Sequence, residues 1–387
     1  MAHSILIMFH CNQHTGYAIG SLEEVFKRAA IEAGFDQHNI LWSYRKVFSP
    51  EVNVFAINYV CPDDTKKLKK VLKEHKVSTI LAFDLRHPSP IIRTARKMGT
   101  TRVVAYWGAS MSSLYQGFKL ILRRCQWILQ AHAAPDFFIF ESDAMRKTGT
   151  HGRGIPSRRT CVIPLGVDTN IFFPAVAERY AQKLFSIPIN RKIIIYSGHM
   201  EERKGLRVLM DAMLELERRN RLEPVHLLIC GNKEHQSKPY EDMLSNSEAK
   251  NHVTFAGYRT DVPQLMRSAY LGTIASTGWD SFTMSSVEML SSGLPLIVSE
   301  LQGLKETIEN GVCGFYIAPG DYHALASLWL QYIDDIELRE RHSKASRERA
   351  ERLYSIDAQV TRIARTLTPK PVFPNEIFRD RELEEHQ

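Results

Sequence analysis

The stretch STGWDSFTMSSVEMLSSGLPLIVS, residues 276–299, decides the fold. It follows an apolar strand, YLGTIAS, and runs through a loop of small residues into a short helix and a second strand, LPLIVS. That succession is one β-α-β unit. The helix consists of Met284, Val287, Met289 and Leu290 with Ser285, Ser286 and Ser291, and it carries one carboxylate, Glu288. A helix so apolar is buried all round, where an unpaired carboxylate is costly. Two readings meet the cost: a buried basic residue pairs with Glu288, or a ligand does. Glu288 stands about 7 Å along the helix from its start at Thr283. A diphosphate held by the free backbone N–H groups of residues 282–284 would set its ribose beside Glu288, whose oxygens accept from both vicinal hydroxyls.

The alternation continues in both directions. ILIMF (5–9), TILAF (79–83), RVVAY (102–106) and FFIF (137–140) alternate with helical segments at 21–33, 65–75, 90–98 and 114–130. Farther on, KIIIYS, VHLLICG, VTFAG, YLGTIAS and LPLIVS alternate with helices near 205–219, 261–268, 283–291, 303–309 and 321–352. Two β-α-β series predict an α/β chain of two Rossmann-like, doubly wound parallel-sheet domains. The seam falls in VIPLGVDTNIFFPAVAERY, bracketed by Pro164 and Pro174. The domains are therefore placed at 1–168 and 169–356, with the proline- and charge-rich tail 357–387 returning to the first. The default ligand site is a cleft between them, at the carboxyl ends of the strands.

Composition sets the remaining bounds. At 387 residues and 44% hydrophobic content, each domain can bury its own core. Six scattered cysteines without a C-x-x-C pair fit reduced thiols and a cytoplasmic setting. No signal segment or membrane-spanning run is read. A net charge of +7 favours anionic partners without choosing among them. No aromatic-interleaved basic surface for nucleic acid appears. HCNQH (10–14) follows a strand and leads into a glycine loop, which argues against a metal site.

A second segment agrees with the first. In IIIYSGHMEERKGLRVLMDAM the strand turns at Gly198, and a helix with Leu206, Leu209, Met210 and Met213 on one face starts near Lys204. A cation at a helix N-terminus opposes the macrodipole. Either an anionic ligand resolves that conflict, or Lys204 is solvated and balanced by Glu201 and Glu202.

The ordered blocks CVIPLGVDTNIFFP, SGHMEERKGLRVLMDAM, LLICGNKE, VTFAGYRTDVPQLMRSAYLGTIAS and WDSFTMSSVEMLSSGLPLIVSELQGLKETIENGVCGFYIAPGD, over most of 155–357, resemble the retaining glycosyltransferases of family GT4, which have the GT-B architecture. The N-terminal half is similar only in outline, through HTGYAIGSLEEVFKRAAIEAGF and FDLRHPSP. The resemblance implies transfer of a sugar from a nucleotide-sugar donor, UDP being the commonest, to an acceptor hydroxyl with retention. It implies Lys204 on the donor diphosphate, Glu288 on the ribose and Asp280 on hydroxyls of the transferred sugar. Backbone around Phe282, Thr283 and Met284, and Gly198 at the turn, would cradle phosphate. Gly16 would let backbone approach the diphosphate from the other domain, and His87 would stand on the acceptor side, unless it is only a loop residue before Pro88. No cofactor is implied. No Asp-x-Asp occurs, so Lys204 and helix dipoles rather than a metal are expected to meet the leaving charge.

Three positions depart from the family. His199 replaces the arginine after the turn glycine, so catalysis is expected to weaken as pH rises from about 6 to 8, through the reference histidine pKa. Asp280 is one methylene shorter than the usual glutamate. Trp107, in AYWGAS, replaces a histidine that contacts sugar, and either stacks on a ring or closes the cleft. These departures keep open a nucleotide-sugar-binding protein without transfer activity, or a hydrolysing epimerase or phosphorylase on the same architecture. The acceptor is a small molecule, a glycan or a lipid-linked saccharide. GFKLILRRCQWILQ (117–130) is a basic amphipathic segment with two readings: packing against its own sheet, the weightier, or peripheral contact with an anionic membrane.

Overall fold

A computed structural model describes residues 3–58, 64–85, 87–175 and 179–368. The described residues divide into two compact units, one drawn from 3–140, 148–163 and 360–368, the other from 141–147 and 164–359. The expectation for the tail beyond residue 368 lies outside the described residues.

In the N-terminal unit the strands are β1 (Ser4–Met8), β2 (Ile40–Tyr44), β3 (Val54–Ala56), β4 (Val77–Phe83), β5 (Arg102–Trp107), β6 (Phe137–Phe140) and β7 (Thr160–Val162). They form a parallel sheet in the order β3-β2-β1-β4-β5-β6-β7. Helices α1 (Tyr17–Glu32), α2 (Asp64–Glu74), α3 (Pro90–Lys97), α4 (Gly117–Gln130) and α5 (Asp143–Thr150) connect them, α5 beginning in the residues assigned to the second unit. Every residue of β1 and β5 is buried, as expected of central parallel strands covered on both faces.

The C-terminal unit repeats the plan. Strands β8 (Lys192–Ser197), β9 (Val225–Cys230), β10 (Val253–Phe255), β11 (Leu271–Ile274), β12 (Leu296–Ser299) and β13 (Gly314–Ile317) form a parallel sheet in the order β10-β9-β8-β11-β12-β13. The helices are α6 (Tyr180–Phe185), α7 (Leu206–Arg218), α8 (Lys238–Leu244), α9 (Val262–Arg267), α10 (Met284–Ser291), α11 (Tyr322–Asp334), α12 (Ile336–Tyr354) and α13 (Ile356–Leu367), whose residues from Val360 belong to the first unit. The two-residue period of a strand puts Ile194 and Tyr196 of β8 in one apolar cluster and Ile193 and Ile195 in the other.

Some boundaries differ from the sequence reading. The segment 321–352 is two helices, because Asp335 stops α11 and its carboxylate accepts the Leu338 N–H at 2.8 Å to start α12. The segment 303–309 holds only a single 3-10 turn, Lys305–Thr307. Segment 117–130 is helical, but it does not lie on its sheet with an apolar face: Trp127 is its one buried residue. Among the described residues no helix is long and apolar enough to cross a membrane. Cys11, Cys125, Cys161, Cys230 and Cys313 are free thiols.

Candidate functional site

In each sheet the chain first winds one way and then the other, so the strand order reverses beside the first strand. That reversal lies between β8 and β11 in the C-terminal unit and between β1 and β4 in the N-terminal unit. At such a switch point the loops leaving the strand ends diverge and open a crevice, the usual ligand position in open α/β sheets. The candidate residues of the C-terminal unit come from the two loops at its switch point, 198–205 after β8 and 275–283 after β11, and, for Met284 and Glu288, from α10 beyond the second loop.

Backbone holds those loops together. Lys204 does not begin the helix; it ends a 3-10 turn, Glu202–Lys204, and Gly205 at φ 76° leads into α7. A Cβ on Gly205 would lie 1.7 Å from the Ala275 carbonyl oxygen, so only glycine allows the two chains to meet here. The Thr277 N–H donates to the Arg203 carbonyl at 2.8 Å, and the Gly278 N–H to the same oxygen at 3.3 Å.

This approach delivers Lys204 to Asp280. Lys204 Nζ donates to both carboxylate oxygens, at 2.8 and 2.9 Å. Asp280 is 3% exposed and also accepts from Ser276 Oγ at 2.6 Å and the Ser281 N–H at 3.1 Å. The reading of Lys204 as solvated and balanced by Glu201 and Glu202 does not hold, since Glu201 takes Arg203 at 2.7 Å. Ser276 and Arg203 were missed by the sequence reading. Arg203 lies 3.8 Å from Asp280 and donates to the Trp279 carbonyl at 2.8 Å. The only prior signal for them was position, one ending the β11 run and the other adjoining Lys204.

Helix α10 continues from the second loop. Its N-cap, Thr283, makes no side-chain cap, because its hydroxyl donates instead to Ser286 Oγ at 3.0 Å. Phe282 is buried with its ring edge-on to Tyr354 at 5.2 Å, which fixes the backbone entering the helix. Glu288 is 6% exposed, between Val287 and Met289, which are wholly buried. Gly198 and His199 form the turn after β8. The Tyr196 hydroxyl donates to the His199 carbonyl at 2.8 Å, while the imidazole itself is exposed. Burial, reinforced by the charge of Asp280, pushes the Tyr196 phenol up, so it stays a neutral donor.

Three candidates lie at the corresponding end of the N-terminal sheet. Gly16, at φ 83°, precedes α1 in the loop after β1. His87 follows β4, with its ring edge-on to Trp127 at 5.1 Å and to Phe138 at 5.3 Å. Burial, with the charge of Arg153 second, lowers its pKa to about 4, so the imidazole is neutral near pH 7 and its buried Nδ1 has no hydrogen-bond partner. Trp107 ends β5 at 9% exposure with Nε1 likewise unpartnered, leaving little indole surface on which a ring could stack. His10 Nε2 bonds the Asp84 carbonyl at 2.8 Å and thereby joins the β1 and β4 loops. His14 turns instead to Ser49, at 3.4 Å.

Residues 181–349 match the model of the family described as Glycosyl transferases group 1. Phosphatidyl-myo-inositol mannosyltransferase of Mycobacterium leprae is 29% identical over 194 residues, covering 48% of this chain and 50% of that protein. D-inositol 3-phosphate glycosyltransferase of Corynebacterium urealyticum is 24% identical over 249 residues, covering 62% and 58%. The chain thus spans about half the length of the curated relatives it matches. Among solved structures, HepE of Anabaena in complex with UDP superposes with a TM-score of 0.73 at 20% identity, over 94% of this chain and 99% of that one. WaaG, a glycosyltransferase involved in lipopolysaccharide biosynthesis, gives 0.66 at 15% identity, over 94% and 100%. The fold is therefore the GT-B fold expected from the sequence, and residues 181–349 are similar to the group 1 glycosyl transferases, the family the sequence blocks resemble.

Proposed function

We propose that the protein is a retaining glycosyltransferase that moves a sugar from a nucleotide-sugar, with UDP as the favoured nucleotide, to an acceptor hydroxyl without a metal. One observation carries this reading: Lys204 and Asp280 meet at the switch point of the C-terminal sheet, beside the uncapped start of α10, with Glu288 five residues along that helix. The diphosphate is met by Lys204 and the N–H groups of Phe282, Thr283 and Met284, with Gly198 and His199 at the neighbouring turn. Glu288 accepts the ribose hydroxyls, and Asp280 takes hydroxyls of the sugar while it orients Lys204. Gly16, His87 and Trp107 are assigned to the ligand-facing end of the N-terminal sheet. In the reaction the bond from the anomeric carbon to the diphosphate oxygen breaks, and the acceptor oxygen bonds to the same face. The departing phosphate oxygen takes the acceptor's proton. The UDP complex of HepE and the relatives named as mannosyl- and inositol glycosyltransferases support this reading.

The test is release of nucleoside diphosphate from UDP-, GDP- and ADP-sugars, with and without candidate acceptors, the donor first chosen by thermal shift. Lys204→Ala is expected to lower kcat/KM by about a hundredfold or more, the loss typical of one transition-state donor, and Glu288→Gln to raise the donor KM, the mark of a lost ribose contact. EDTA is expected to leave the rate unchanged. Donor binding with no turnover on any acceptor would leave a nucleotide-sugar-binding protein, and a strict requirement for a divalent ion would remove the metal-free step.

A further inference from the structure

Helix α4 turns its apolar side away from the protein. Trp127 is its single anchor, with the indole edge-on to Phe138 of β6 at 5.8 Å and to His87 at 5.1 Å. At about 100° per residue, Phe118, Leu122, Cys125 and Leu129 project opposite Trp127, with Ile121 and Ile128 beside them. Phe118 is 72% exposed, Ile121 54%, Leu122 53%, Ile128 71% and Leu129 77%. Single exposed apolar residues are ordinary, but a continuous face of them marks a partner.

The border of that face is cationic. Lys119 and Arg124 flank it on either side and are exposed, while Arg123 turns inward over the Tyr115 ring at 5.0 Å. Residues 108–135 contain no aspartate or glutamate. Segment 151–159 lies directly against the helix, since a Cβ on Gly154 would stand 2.6 Å from the Arg123 carbonyl, and it adds exposed Arg153 and Arg158.

We propose that α4 lies in the surface of an anionic phospholipid bilayer, with its apolar face at the acyl boundary and Lys119, Arg124, Arg153 and Arg158 among the headgroup phosphates. A helix with a broad apolar face and cationic flanks is built for that plane, and each cation strengthens the attraction. The charge pattern also separates a bilayer from a second copy of the chain. Two copies paired through this face would bring cationic borders together with no acid on either helix to offset them. The inference does not rest on the transfer reading, because it is tested without donor or acceptor.

The experiment is co-sedimentation of the full chain with vesicles of phosphatidylcholine alone or mixed with phosphatidylglycerol, beside sedimentation velocity without lipid. Binding to the mixed vesicles is expected to exceed that to phosphatidylcholine by about tenfold or more, and to weaken with salt. Phe118→Ser/Leu129→Ser is expected to lower binding by about tenfold or more while keeping the wild-type circular dichroism, since both side chains are exposed. Lys119→Glu/Arg124→Glu is expected to abolish the preference for the anionic lipid. No binding to mixed vesicles, or binding that the serine variant retains, would overturn the proposal. A dimer without lipid that the serine variant converts to monomer would also overturn it and assign the face to a second copy.

Discussion

Asp280 shows how far single residues could be read. Both it and Lys204 were legible as chemistry, one as a carboxylate in a loop of small residues, the other as a cation at a disfavoured helix start. Their bond was not legible, because 76 residues separate them and the clearance over Gly205, with the backbone bonds to the Arg203 carbonyl, brings the loops together. Lys204 retains 14% side-chain exposure and Asp280 4%, so the pair is largely removed from water. Asp280→Asn is expected to lower stability by about 2 kcal/mol by leaving the lysine without its counter-charge. A double-mutant cycle with Lys204→Met, followed by urea unfolding, should give a coupling of about 1–3 kcal/mol. Additive losses would mean that water serves each group as well as its partner does. Trp107 illustrates the opposite limit: its aromatic character was plain, but its burial depends on neighbours that no local pattern encodes.

Among elements, the long apolar runs of the two sheets were legible because parallel strands buried on both faces read as continuous hydrophobic sequence. Strands β2 and β3 were not, since ILWSY breaks its apolar run at Ser43 and VFA is three residues long; pairing with β1 and β2 respectively is what makes them strands. For α4 the periodicity revealed an amphipathic helix but not which side meets the protein, and a single tryptophan decides that. The turn into α7 carries the sharpest backbone requirement. Gly205→Ala is expected to cost at least about 3 kcal/mol, because the left-handed φ and the clash with the Ala275 carbonyl act together. A chemical-denaturation midpoint equal to that of the wild type would show that the β11 loop yields instead.

For the whole molecule, each unit buries a histidine in its neutral form. His87 in the first and His226 in the second both fall to about 4, chiefly through burial. His226 Nε2 bonds Thr254 Oγ1 at 2.8 Å. The unfolded chain, with a histidine pKa of about 6.5, binds more protons than the folded one between pH 6.5 and 4. The stabilisation from these groups is therefore complete above pH 6.5 and is lost as pH falls toward 4, by about 3 kcal/mol for each group. Thermal unfolding followed across that range should show the decline, and His226→Asn should flatten it for the C-terminal unit; an unchanged acid limb would mean other groups cause it. The two-unit plan itself was legible from the repeated β-α-β alternation, and the sequence reading returned the tail 357–387 to the first unit, but it did not foresee the helix α13 there. There the Arg102 guanidinium donates to the Thr366 carbonyl at 3.0 and 2.7 Å, across 264 positions of sequence. The N-terminal unit consequently cannot be completed in the order in which the ribosome makes it. Its sheet gains the carbonyl that takes the Arg102 guanidinium only when translation has delivered the entire second unit and the helix behind it.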